Sequence, residues 1–199
     1  YLNDVSNFAK WQTMPPAGQS RDIHFFSGNF DGGGHTIYGL YSENGFGIVR
    51  TNVGVIHDLY IEKSLIIGED HIGGICWTND RTIRNCRFGG ILVSNLITSH
   101  KDAKMTGICA SNTGIIERCG FTGSMKVKGD WSKNGVMAGI CAENREKIFN
   151  CYNLSQDCCG KEAGCFFAIA DRKTECCFIL ENLKDSTYYE QHTMLLDKA

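Results

Sequence analysis

Gly74-Ile75-Cys76-Trp77-Thr78-Asn79-Asp80-Arg81-Thr82-Ile83-Arg84-Asn85-Cys86 is written twice more further along the chain. Gly107-Ile108-Cys109 leads through Asn112 and Ile116 to Cys119, and Gly139-Ile140-Cys141 leads through Asn144 and Ile148 to Cys151. Counted from the glycine, cysteine stands at +2 and +12, asparagine at +5 and isoleucine at +9. An earlier copy has Gly47, Val49, Asn52, Ile56 and Leu59 at these offsets, and a later, worn copy has Gly164, Phe166, Ile169, Lys173 and Cys176.

Successive glycines lie 27, 33, 32 and 25 residues apart, so the motif is fixed while the length between motifs drifts. That is the pattern of a stack in which each copy is one turn and insertions emerge as loops. One copy is too short to bury its own apolar face and needs neighbours above and below. If each copy is a coil, equal offsets fall about 4.8 Å apart in parallel ladders. Ile56, Ile83, Ile116 and Ile148 then make an aliphatic column. Ile61, Phe88, Phe121 and Phe178 at +14 share a face with Leu59, Cys86, Cys119 and Cys176, because strand side chains alternate.

Composition agrees with an all-β chain. With 23 Gly and 2 Pro in 199 residues, glycines punctuate short β-branched runs. The net charge of -2 gives no electrostatic footprint for nucleic acid, and no apolar run is long enough to insert directly into a membrane. Residues 1–20 carry no charged start and apolar centre. Beginning at Tyr1, the sequence reads as a piece of a longer chain, so flanking domains are expected partners. Leu2, Val5, Phe8 and Ala9 fall at helical spacing in Tyr1 to Trp11, and Pro15-Pro16 forbids continuation. A short capping helix across the open end of the stack is the expectation, within a capping segment at residues 1–24.

Phe25-Phe26-Ser27-Gly28-Asn29-Phe30-Asp31-Gly32-Gly33-Gly34-His35-Thr36-Ile37 follows. Its glycines suit a left-handed turn between strands that point Phe30 and Ile37 inward. A phosphate cradle would need a following helix and a Lys-Ser/Thr, and neither is present. Phe-x-Gly-x-Phe-Asp-Gly-x-Gly-His-Thr-Ile at Phe26 to Ile37, followed by copies of Gly-Ile-x-x-x-Asn-x-Gly-x-Ile-x-Asn-Cys, resembles the GLUG-repeat family of bacterial secreted and surface proteins. The resemblance covers roughly residues 1–180. It implies a right-handed parallel β-helix, a solenoid usually forming part of a large extracellular protein, commonly an adhesin-like one or an accessory region of a surface protease, and it does not imply a catalytic residue. The organisation expected is a cap at 1–24, β-helix repeats at 25–180, and a tail or cap at 181–199.

Asn52, Asn79, Asn112 and Asn144 read as a corner ladder, since asparagine tolerates left-handed backbone and stacked amides bond to one another and to turn backbone. Cys76, Cys109 and Cys141 make one thiol column, and Cys86, Cys119, Cys151 and Cys176 another. Buried stacked thiols and disulfides across each coil (Cys76 to Cys86, Cys109 to Cys119, Cys141 to Cys151) are both open, although Val49 and Leu59 at the same offsets show that the slots accept hydrocarbon. No Cys-x-x-Cys pair exists, which argues against a metal site in the ladders. Cys158, Cys159, Cys165, Cys176 and Cys177 form a terminal cluster, the better place for metal or redox chemistry.

Catalysis has no visible machinery. Offset +11 reads Asp58, Asn85, Arg118, Asn150, Glu175 and +10 reads His57, Arg84, Glu117, Phe149, Thr174, and neither column places two carboxylates on adjacent coils. The six histidines show no ligand spacing with one another and no Gly-x-Ser-x-Gly occurs, so no catalytic residue, metal or cofactor is expected. Inserts near 95–104 and 129–135 emerge on one edge, where repeat stacks place recognition surfaces. Trp131 in the second insert and Trp77, outward by alternation from Cys76, are the candidate anchors for a host protein or glycan. The resulting expectation is a non-catalytic structural and adhesin-like module. A polysaccharide lyase or hydrolase on the same scaffold, or a pure spacer, are the alternatives.

Overall fold

The computed structural model describes residues 25–96, 103–128 and 135–155, together with the backbone of Ala9–Lys10, Ile169–Ala170, Thr174–Glu175, Cys177–Leu180 and Thr193–Leu196. The described chain is all-β and contains no helix. Every strand pairing in it is parallel. The arrangement is compatible with a β-helix. The capping helix expected over Tyr1–Trp11 is not seen: Ala9–Lys10 is a strand paired in parallel with Leu40–Ser42, and the rest of that segment lies outside the described residues. A helical spacing of four apolar residues is weak against a free sheet edge that pairs with almost any backbone.

Three sheets take up each copy in the same order. One holds Phe25–Phe26, Val49–Asn52, Cys76–Asn79, Cys109–Asn112, Cys141–Asn144 and Ile169–Ala170. The largest, with 14 strands, receives Val55–Gly68, Thr82–Arg84, Ile115–Glu117 and Lys147–Phe149, and also Arg87–Ser94, Gly120–Phe121 and Tyr152–Asn153. The third holds His71–Gly73, Lys104–Thr106 and Val136–Ala138. Each copy is therefore one layer, bonded to the layers on either side.

Register follows the repeat. Val49 faces Cys76, Cys76 faces Cys109, and Cys109 faces Cys141. Ile56, Ile83, Ile116 and Ile148 stand in line and are fully buried. Phe88 and Phe121 stack at 6.3 Å and 15°. The first glycine of each copy is required by the closeness of the layers. A Cβ on Gly47, Gly74 or Gly107 would meet the carbonyl oxygen of the next layer's glycine at 2.0, 2.0 and 2.1 Å.

The asparagine ladder is buried and closes each strand of the first sheet just before the chain bends, as expected of a corner, although none of the four residues is left-handed. Asn52 Nδ2 donates to Asn79 Oδ1 at 2.8 Å, Asn79 to Asn112 at 2.7 Å and Asn112 to Asn144 at 2.8 Å. Each oxygen of Asn52, Asn112 and Asn144 also accepts the backbone N–H two residues on. The left-handed column sits instead at offset +11, with φ of 53° at Asp58, 49° at Asn85, 52° at Arg118 and 55° at Asn150. That column reads from sequence as a solvated face. It is where the chain bends, and three of its four residues are of the type that tolerates the bend.

The last copy is out of register by one residue. Ile148 faces Thr174 rather than Lys173, and Asn153 faces Ile179, so Asn153 follows Phe121 at +14 and Phe178 stands beside Tyr152. Continued by one residue, the same register sets Cys177 in line with Cys151, not Cys176. The worn copy lacks the asparagine and isoleucine that pin the other layers, and a one-residue slip exchanges the two faces of a strand. In the tail, Thr193–Leu196 adds one further parallel strand to Cys177–Leu180.

Candidate functional site

The six described ladder cysteines, Cys76, Cys86, Cys109, Cys119, Cys141 and Cys151, are all buried free thiols. None of the three across-coil pairs is bonded. Cys109 and Cys141 approach to 3.9 Å between sulfurs. Cys86, Cys119 and Cys151 each donate to the carbonyl two residues earlier, at 3.2, 3.2 and 3.4 Å, beside the left-handed bend. A valine or leucine fills the same slot but offers no donor there. Burial pushes the thiols of Cys109, Cys119 and Cys141 well up, and the contact with Cys119 followed by burial does the same for Cys86. Groups so disposed stay protonated and are poor nucleophiles or metal ligands. Cys158, Cys159, Cys165, Cys176 and Trp131 lie outside the described residues.

Outward chemistry gathers around Trp77. Its strand partner one layer back contributes Arg50, whose guanidinium carbon lies 4.3 Å from the indole centroid. From the third sheet, His71 meets the same ring at 4.9 Å and 43°, with its Nδ1 3.2 Å from Asp70 Oδ1. In the next layers the column that holds Arg50 and Trp77 shrinks to Ala110 and Ala142, both buried. Lys104, in register with His71, pairs with Glu143 at 3.2 Å, and Glu143 also takes Arg145 at 3.5 Å. Burial alone would raise the Glu143 carboxyl, but Lys104 and Arg145 outweigh it and hold it below its usual range. The result is a half-buried aromatic ring flanked by a guanidinium and an imidazole, followed by a fixed ion cluster. Arg50 was legible as a partner, since it stands at the same offset, +3, as Trp77.

On the sheet that contains Arg87–Ser94, the Arg87 guanidinium lies 5.0 Å over the Tyr60 ring, with its Nε 2.8 Å from Glu62. Tyr152 lies across Gly120, where a Cβ would meet the tyrosine ring at 2.0 Å. A glycine at the start of Gly120–Phe121 is thus explained by the ring that covers it.

A second outward group was not legible from the repeat. Asp31 is the register partner of His57, so its carboxylate comes beside the His57–Asp58 pair on the adjacent layer. Two carboxylates therefore meet on neighbouring layers, one from the +10 column and one from the +11 column. His57 Nδ1 lies 2.6 Å from Asp58 Oδ2 and 3.6 Å from Asp31 Oδ1. The Asn85 side-chain amide donates to the other Asp58 oxygen. Hydrogen bonds from His57 and then Asn85 hold the Asp58 carboxyl below its usual range. Asp31 was hidden because Gly32-Gly33-Gly34 shifts the register between Asp31 and His35, where the next layer has the single residue Asp58. Comparison of the chain with models of protein families, with curated proteins and with solved structures finds no match.

Proposed function

We propose that this chain is a right-handed parallel β-helix module of a bacterial secreted or cell-surface protein, related to the GLUG-repeat proteins, which presents a binding face and carries out no reaction of its own. The observation that supports this reading best is the position of Trp77. It rides on a stack whose interior is occupied by repeated thiols, amides and isoleucines, and it is held outward between Arg50 and His71. An indole ring with a guanidinium and an imidazole at its margin suits the apolar face and hydroxyl rim of a sugar, or a polar protein loop. Host glycan or protein is accordingly the proposed partner, and flanking domains supply attachment to the larger protein.

The rival reading is a carbohydrate-active enzyme, favoured by the two carboxylates Asp31 and Asp58. Their ligand oxygens lie within 4.8 Å of each other with the His57 nitrogen beside both. Retaining hydrolysis spaces its carboxyl groups about 5–5.5 Å apart across the scissile bond, with inversion wider still. Here an imidazole occupies that interval. Screening the protein and its Trp77→Ala and Arg50→Met variants on glycan and extracellular-protein arrays, with a parallel assay for polysaccharide cleavage, tests the reading. Binding reduced at least about tenfold by either variant supports it. Cleavage abolished by Asp31→Asn, or binding indifferent to both variants, overturns it.

A further inference from the structure

We propose that Asp31, His57 and Asp58 bind one divalent transition cation, of the class of Mn2+ or Zn2+. The three side chains offer one nitrogen and two carboxylate oxygens, all within 4.8 Å of one another. Such a mixed set suits Zn2+ and Mn2+ better than Ca2+, which takes oxygen ligands and more of them. Ligand atoms bonded at about 2.0–2.2 Å to a common ion stand about 3–3.5 Å apart. The two separations from His57 Nδ1, 2.6 Å to Asp58 and 3.6 Å to Asp31, straddle that range. The imidazole is fixed, with 9% of its side chain exposed, whereas the Asp58 carboxylate is 36% exposed and free to retreat by the fraction of an ångström required.

Charge supplies the second argument. Asp58 and Asp31 bring carboxylate oxygens to the same His57 nitrogen, at 2.6 and 3.6 Å. Two carboxylates therefore stand close together beside one imidazole nitrogen. A doubly charged cation held among the three side chains compensates both. The outer arrangement is already that of a ligand set: Asn85 orients the far oxygen of Asp58, and the Gly33 N–H donates to Asp31 Oδ1 at 2.8 Å. Asp31, 59% exposed, leaves the remaining coordination positions open to water.

The decisive experiment is titration of the metal-stripped full chain with Mn2+, followed by electron paramagnetic resonance. Mn2+ is chosen because thiolates bind it poorly, so the cysteines do not contribute. The expected result is one Mn2+ per chain, with nitrogen coupling from a coordinated imidazole that His57→Gln removes. Asp31→Asn keeps the acceptor for the Gly33 N–H, and Asp58→Asn keeps a residue tolerant of the left-handed bend, so both variants are built to fold. Each should weaken Mn2+ binding about tenfold or more. Unchanged affinity in both variants overturns the site. If a variant fails to fold, the unmodified chain decides by itself, since bound Mn2+ without nitrogen coupling, or no bound Mn2+ at all, also overturns it. The outcome is independent of whether Trp77 binds a glycan.

Discussion

Replacing Asn112 by alanine removes the middle rung of the buried amide ladder. Four hydrogen bonds disappear: the one accepted from Asn79 at 2.7 Å, those donated to Asn144 at 2.8 Å and to the Gly114 carbonyl at 3.0 Å, and the one accepted from the Gly114 N–H at 3.2 Å. Asn112 is fully buried, so no water takes over. At about 1 kcal/mol net per bond the loss is about 4 kcal/mol, a large share of the roughly 5–15 kcal/mol that holds a domain together. The ladder also has a direction, since each amide nitrogen faces the oxygen of the next layer. Asn112→Asp therefore sets a buried carboxylate oxygen against Asn144 Oδ1 and should be less stable than Asn112→Ala at neutral pH. Urea unfolding followed by circular dichroism measures both. An Asn112→Ala protein within about 1 kcal/mol of the parent, or an Asn112→Asp protein as stable as Asn112→Ala, would refute the reasoning.

Gly107→Ala should destabilise by about 3 kcal/mol or more, read as a lower urea midpoint, because its Cβ would meet Gly139 O at 2.1 Å and Phe121 Cγ at 2.3 Å. Arg118→Asn should raise the midpoint by about 1 kcal/mol, since it replaces the one residue of the left-handed column that disfavours φ of 52°. Alkylation of the native protein at neutral pH, mapped by mass spectrometry, should leave Cys86, Cys109, Cys119 and Cys141 unmodified, and all four should react in denaturant. Glu143 has its folded carboxyl held below the unfolded value, so its contribution is present above the unfolded pKa and is lost as pH falls through the folded one. Lys104→Met should remove part of that acid-side loss, seen as a flatter dependence of stability on pH below the ordinary carboxylate range.

The interior columns were legible because burial selects the same residue at each layer. Ile56, Ile83, Ile116 and Ile148 need only be counted. The bend was harder to see, because φ selects a tolerance and not an identity: Asp58, Asn85 and Asn150 share it, and Arg118 adopts it without a matching preference. A search for left-handed formers at a constant offset would have found three of the four. The slip in the last copy was hidden because the worn motif supplied no anchor to count from. Asp31 escaped because three glycines on one layer replace a single residue on the next, so offsets from the first glycine do not reach it. Phe30, in register with Ile56, carried the correct alignment.

The glycine at the head of each copy has a consequence for how such a chain changes length. Thr106 and Ala138 precede equivalent glycines, Gly107 and Gly139, and equivalent strands follow them. Excising everything from Gly107 to Ala138 would join Thr106 to Gly139 at a junction the chain already uses, and would seat Cys141 directly upon Cys76. Duplication or deletion of whole copies thus poses no new packing problem, and size becomes adjustable in steps of one layer.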